Sequence, residues 1–233
     1  MTPHLSAIGF HATDPSDLAR FWAGLLRWER TGDGTLVVPP DGTGYALRFT
    51  ESQAPKTRPN QAHFDLTSAT PEAQRDTVAR ALELGARHID IGQTPEDGHV
   101  VLADPDGNEF CVIEAGNTFL ADTGVIGAVA CDGTRAVGYF WSAALGWPLV
   151  WDQDEETAIQ SPEGGTKLTW GGPPVREKPD ANRLYFELTL PPDADGEAET
   201  ARLAELGARP GPDGVFLDPD GNEFRVLHAS APQ

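Results

Sequence analysis

Asp104-Pro105-Asp106-Gly107-Asn108-Glu109-Phe110 returns without change as Asp218-Pro219-Asp220-Gly221-Asn222-Glu223-Phe224. An identical heptapeptide at two places marks an internal repeat, and a repeat has to be found before any fold is assigned. The stretch has turn chemistry. Pro105 presets φ, Asp106 accepts local backbone bonds, and Gly107 permits a positive φ. An apolar run precedes each copy, Val100 to Ala103 and Val215 to Leu217. Another follows, Phe110 to Ile113 and Phe224 to Leu227. Each copy therefore reads as strand, turn, strand.

Working outward from the turns, the same order of elements appears again and again. Leu5 to Ala12 reads as a strand, and Asp14-Pro15 starts a helix as N-cap and first helical residue. Leu18, Phe21, Trp22, Leu25 and Leu26 recur at helical spacing. Strands follow within Trp28 to Val38 and over Tyr45 to Thr50. The order restarts at Ala62 to Thr67, with a helix from Pro71 to the stop at Gly85 and Thr70 as its N-cap. Strands then run over Arg87 to Ile91, His99 to Ala103 and beyond the heptapeptide. The second half repeats the first: Phe140-Trp141 matches Phe21-Trp22, and Leu206-Gly207-Ala208-Arg209 matches Leu84-Gly85-Ala86-Arg87. The chain is thus four βαβββ units, two per half, with Gly116 to Thr123 as the linker. The aromatic pairs, with Trp28 and Trp147, are expected in the core.

Bulk composition narrows the function. The 233 residues carry 36 acidic and 17 basic side chains, a formal net charge of −19. That balance argues against nucleic acid or an anionic membrane as partner. No apolar run reaches the ~20 residues of a membrane helix, and the N-terminus lacks a signal-peptide pattern. Cys111 and Cys131 form no CxxC pair, so a reducing cytoplasm is the expected location. Three lysines against fourteen arginines suit a high-GC bacterial source.

The Phe-Trp helix, the following Trp28 and Trp147, the strand His63-Phe64-Asp65-Leu66, the Leu-Gly-Ala-Arg helix end and the Asp-Pro-Asp-Gly-Asn turn together resemble the vicinal oxygen chelate superfamily. That superfamily takes in glyoxalase I, bleomycin-resistance proteins and extradiol dioxygenases, and the likeness is greatest to actinobacterial two-domain glyoxalase-like proteins. It covers both halves. It implies an α+β fold of tandem glyoxalase-like domains, residues 1–116 and 124–233, each pairing two βαβββ units into an eight-stranded cup around a ligand cavity. Fold does not fix function, so the site is read separately.

In metal-dependent members of the superfamily, four strand positions per cup hold His, Glu or Gln. Spacing puts them here at Ala7, Ala46, His63 and Cys111 in the first half, and at Ile126, Leu168, Tyr185 and Arg225 in the second. Alanine cannot bind a metal and arginine stays protonated. The expectation is therefore no metal and no cofactor, with a divalent ion on a displaced set of His11, His63 and Asp65 as the alternative. Residues two apart on a strand share a face, which adds His11, Arg48, Asp65 and Glu187 to the ligand-facing set. The expected first cavity is lined by His11, Arg48, His63, Asp65 and Cys111, with His63 and Asp65 as a candidate acid–base pair. Trp170, Tyr185, Glu187 and Arg225 are the expected handles of the second. Function is expected to be binding of a small organic ligand without the usual metal, in sequestration or metal-free tailoring. The competing reading is a metal-dependent lyase, isomerase or dioxygenase. A monomer or homodimer is expected.

Overall fold

A computed structural model describes residues 2–178 and 180–229. The outermost residues of the expected domains, 1 and 230–233, lie outside that range. The first unit is β1 (His4–Ala12), α1 (Pro15–Leu26), β2 (Glu29–Thr31), β3 (Leu36–Val38) and β4 (Ala46–Glu51). The second is β5 (Ala62–Leu66), α2 (Pro71–Glu83), β6 (Arg87–His88), β7 (Val100–Ala103) and β8 (Glu109–Val112). The third is β9 (Ile126–Cys131), α3 (Arg135–Leu145), β10 (Leu149–Gln153), β11 (Glu156–Gln160) and β12 (Lys167–Trp170). The fourth is β13 (Leu184–Leu190), α4 (Gly196–Leu206), β14 (Arg209–Pro210), β15 (Phe216–Leu217) and β16 (Glu223–His228). Local signals act as their chemistry dictates. Asp14 caps α1 by accepting from Asp17 N at 2.9 Å, and Thr70 caps α2 from Ala73 N at 3.1 Å. Gly85, just past α2, has φ 108°.

The expected cups do not form. The strands make two open eight-stranded sheets, ordered β14-β15-β16-β13-β1-β4-β3-β2 and β10-β11-β12-β9-β5-β8-β7-β6. The first sheet joins unit one to unit four. The second joins unit two to unit three. Neither sheet belongs to one half of the chain. The reason lies in the packing of β1 and β5, whose apolar faces meet across the core. Phe10 and Phe64 touch edge to face with centroids 5.5 Å apart, and Trp22 reaches both Phe64 and Phe110 at 5.2 Å. Strands that face each other through their side chains cannot also lie edge to edge. Each open edge is closed instead by the matching strand of the other half: β1 pairs with β13, and β5 with β9, both antiparallel.

The two heptapeptides fasten this arrangement. Both are hairpin turns, with φ 86° at Gly107 and 85° at Gly221. The local acceptor is Asp104 rather than Asp106. Its Oδ1 takes the N–H groups of Asp106 and Asn108 at 3.0 and 2.8 Å, and its Oδ2 takes the indole N–H of Trp22 at 3.1 Å. The second copy does the same from Asn222 and Trp141 to Asp218, at 2.8 and 3.2 Å. Asp106 instead accepts from Thr13 N at the end of β1, at 2.7 Å. Glu109 holds Lys56 at 2.6 Å and Asn60 N at 3.1 Å. These acidic side chains are therefore occupied with structure.

Burial pushes the Asp104 carboxyl up from its ordinary 3.8 to about 6, against the pull of the Asn108 and Trp22 donors. A carboxyl raised in the fold contributes stability below its unfolded value that is lost as pH rises through the folded value. The stability difference between wild type and Asp104→Asn should thus shift by roughly 3 kcal/mol from pH 4 to pH 7, in the direction that weakens wild type. Urea unfolding of both proteins across that range measures it; parallel profiles would refute it. Asp104→Ala, which strands the buried Trp22 and Asn108 donors, should cost about 3–5 kcal/mol. The sheet topology gives a second test. A fragment of residues 1–116 lacks β13 and β9, the antiparallel partners of β1 and β5, so light scattering should find it self-associated. A stable folded monomer would contradict the exchange of units between halves.

Candidate functional site

Strand alternation sends one set of side chains into the core and leaves the other on an opposite face. On β5, Phe64 and Leu66 join the core while His63 and Asp65 face away; on β8, Phe110 and Val112 face in and Cys111 away. Asp65 is the register partner of Cys111 on one side and of Ala128 on the other, and Ala128 pairs with Lys167. A row of Cys111, Asp65, Ala128 and Lys167 therefore crosses four strands, with His63 beside it opposite Ala130.

One ligating atom from each of His63, Asp65 and Cys111 lies within 4.8 Å of the others. His63 Nε2 stands 3.4 Å from Asp65 Oδ1. Cys111 is buried; desolvation, then the charge and hydrogen bond of Asp65, push its thiol pKa well up. Burial and the neighbouring Asp65 carboxylate therefore both favour the protonated thiol. The linker closes one end of this face. Leu120 packs with Val101, Cys111, Ile113 and Ala128, Phe119 lies against the same cluster, and the Lys167 ammonium sits 4.4 Å over the Phe119 ring.

The other sheet carries a different set at equivalent positions. Glu187 is the register partner of Arg225 and of Ala7, and Gly9 of both Tyr185 and Arg48. Arg48 Nε donates to the buried Glu187 carboxylate at 2.7 Å. Arg225 lies 4.8 Å over the Tyr185 ring, and the His11 ring lies 4.9 Å from it, tilted by 34°. Thr50 Oγ1 is 3.3 Å from His11 Nδ1 and 3.4 Å from the Tyr185 hydroxyl. Burial, then the charges of Arg225 and Arg183, hold the His11 pKa below its usual value. Burial likewise raises that of Tyr185.

The structure therefore regroups the residues singled out from the sequence. His63, Asp65 and Cys111 come together. His11 and Arg48 lie on the other sheet with Tyr185, Glu187 and Arg225, so the displaced set of His11, His63 and Asp65 is not assembled. Ile126, Leu168 and Trp170 point into the core. A register shift in the β5–β9 pair, between Asp65 and Leu66, puts Ile126 opposite the core residue Leu66 and leaves Ala128 opposite Asp65. Lys167 on the face and the linker residues Phe119 and Leu120 were not singled out. Alternation about the apolar Leu168 is the signal that exposes Lys167; nothing local marks the linker residues. A cleft of about 910 Å³ between Trp28 and Trp147 contains none of these candidates.

Both halves share the βαβββ architecture of the vicinal oxygen chelate superfamily. The chain belongs to the glyoxalase-like domain family, whose profile matches residues 7–113 and again 127–227. Among solved structures it is similar to a putative dioxygenase from Bacillus subtilis, at 13% identity over 97% of this chain and 85% of that one, with TM-score 0.65. It is also similar to glyoxalase I from Zea mays, at 17% identity over 97% of this chain and 92% of that one, with TM-score 0.65. At these identities the likeness is one of fold. No curated protein matches it in sequence. No helix of the described residues is long and apolar enough to cross a membrane.

The expectation of a ligand cavity without a metal centre is overturned by the His63–Asp65–Cys111 cluster. A divalent metal, the alternative read from the sequence, has a candidate site there.

Gly9 tests the geometry of the opposite sheet. A Cβ at Gly9 would fall 2.1 Å from Cζ of Tyr185, so the ring lies where only glycine leaves room. Gly9→Ala should cost about 1–3 kcal/mol and displace Tyr185, visible as a lower melting temperature and an altered near-ultraviolet tyrosine signal. An unchanged spectrum would contradict the placement.

Proposed function

We propose that the chain is a metal-dependent glyoxalase-like enzyme that holds a divalent ion with His63, Asp65 and Cys111. The observation that carries this reading is the convergence of an imidazole, a carboxylate and a thiol within 4.8 Å on adjacent strands. The donor set fits such an ion. Nitrogen, oxygen and sulfur ligands together suit zinc, and a three-ligand site leaves a position for water or substrate. Ala128 and Ala130, opposite Asp65 and His63, put only methyl groups beside the cluster. A bound ion would supply Lewis-acid polarisation of a substrate oxygen. One histidine with a thiolate departs from the two-histidine, one-carboxylate set of oxygen-activating iron. The donors thus favour lyase or isomerase chemistry over dioxygenation. Asp65 stands across the strand pair from Cys111, and His63, about one-third exposed, stands on the open side of the cluster. Lys167, on the same row, offers a cation for an acidic substrate group. Two free thiols suit a reducing compartment.

Metal-free protein titrated with zinc should bind one equivalent per chain, and His63→Ala and Cys111→Ser should weaken binding by at least about tenfold, ~1.4 kcal/mol. Cobalt loading should give a thiolate charge-transfer band that vanishes in Cys111→Ser. Binding of zinc to both variants as tightly as to wild type, or no binding by wild type, would overturn the assignment.

A further inference from the structure

We infer that the cleft between Trp28 and Trp147 is a second site, which binds a small organic ammonium cation. The cleft, of about 910 Å³, contains no member of the His63–Asp65–Cys111 cluster or of the Tyr185–Glu187–Arg225 set. Units one and three build it together. Each supplies a tryptophan from just past its helix, Trp28 or Trp147, and the turn before its last strand. The sequence places both indoles in the core, yet each is only half-buried, packed against the core and bordering the cleft. The Tyr45 hydroxyl and Thr166 Oγ1, 3.1 Å apart, join the two units in its lining.

Charge sets the class of ligand. Asp41 and Glu163, one from each turn, are the carboxylates of the cleft, and among the described residues no lysine or arginine lines it. Its other ionisable side chains are His4 and Tyr45. Thr43 N–H donates to Asp41 at 3.0 Å, and that bond holds the Asp41 carboxyl below its ordinary value, so it is ionised at neutral pH. Burial pushes the Tyr45 phenol up, so that side chain stays neutral. The net charge of −19 adds long-range attraction for a cation. The turns themselves leave space: a Cβ at Gly44, Gly164 or Gly165 would meet nothing within 4 Å. Among the described residues Asp41 and Glu163 join no cluster of three metal-ligating groups, so a bare metal ion lacks a ligand set here. An alkylammonium group needs none. It is held by cation–π attraction, for which tryptophan is the strongest partner, and by nearby carboxylates. The cleft is of the size that small organic ligands occupy. This inference does not rest on the metal reading, since the two sites share no residue.

Full-length protein is titrated calorimetrically with choline, and with 3,3-dimethylbutan-1-ol as its neutral isostere, in about 0.15 M salt to screen diffuse attraction to the net charge. Choline should bind saturably, one per chain, and the alcohol at least tenfold more weakly. The double variant Asp41→Asn, Glu163→Gln changes two exposed turn residues, and the Asn amide oxygen can still accept from Thr43 N. It should keep the wild-type circular dichroism and weaken choline binding at least tenfold. Trp147→Leu should weaken binding as well, and Cys111→Ser should leave it unchanged. Absence of saturable choline binding, equal affinity for the alcohol, or no effect of the double variant would overturn the inference. Loss of choline binding in Cys111→Ser would move the cation to the His63–Asp65–Cys111 face and overturn it equally.

Discussion

The whole arrangement hangs on a buried carboxylate that binds an indole. Asp104 ties its own turn together and takes the Trp22 N–H from the helix of the preceding unit; Asp218 repeats this with Trp141. Each bond therefore joins a helix packed on one sheet to a turn of the other. Removing a carboxylate from water is costly unless donors converge on it. Four donors from Asp106, Asn108 and Trp22 converge on Asp104. A site with so many directed partners accepts one geometry, and that geometry holds the units back to back. Phe10, Trp22, Phe64 and Phe110 then fill the space between them.

Back-to-back packing decides what happens on the outside. Each unit leaves one edge of its first strand open, and the matching strand from the other half completes the sheet. Residues far apart in the chain become neighbours: Ala7 meets Glu187, and Asp65 meets Ala128. The two sheets then present equivalent positions with different chemistry. Tyr185, Glu187 and Arg225 on one stand where His63, Asp65 and Cys111 stand on the other. At matching positions Tyr185 thus replaces His63 and Arg225 replaces Cys111, while a carboxylate is kept at Glu187 and Asp65.

The linker is part of this division. Leu120 and Phe119 cover one end of the His63–Asp65–Cys111 face, and Lys167 is bound to the Phe119 ring and carbonyl. They bury the thiol and leave His63 as the accessible member of the cluster. A connection that looks like a spacer in the chain is a wall of the candidate site.

The sequence by itself determined the local structure: four βαβββ units, the caps at Asp14 and Thr70, the hairpins at Gly107 and Gly221, and which side chains share a face. These follow from periodicity and turn chemistry, which act over a few residues. His63 with Asp65, and Tyr185 with Glu187, were legible because i and i+2 on a strand point the same way. The partners of those pairs were not legible. Whether β1 lies beside β5 or beside β13 depends on contacts between aromatic side chains separated by scores of residues. Units of nearly the same sequence offer nearly the same edges. Only the tertiary packing of Phe10 against Phe64 broke that degeneracy. It placed His11 and Arg48 on one sheet with Arg225 and left His63 on the other with Cys111.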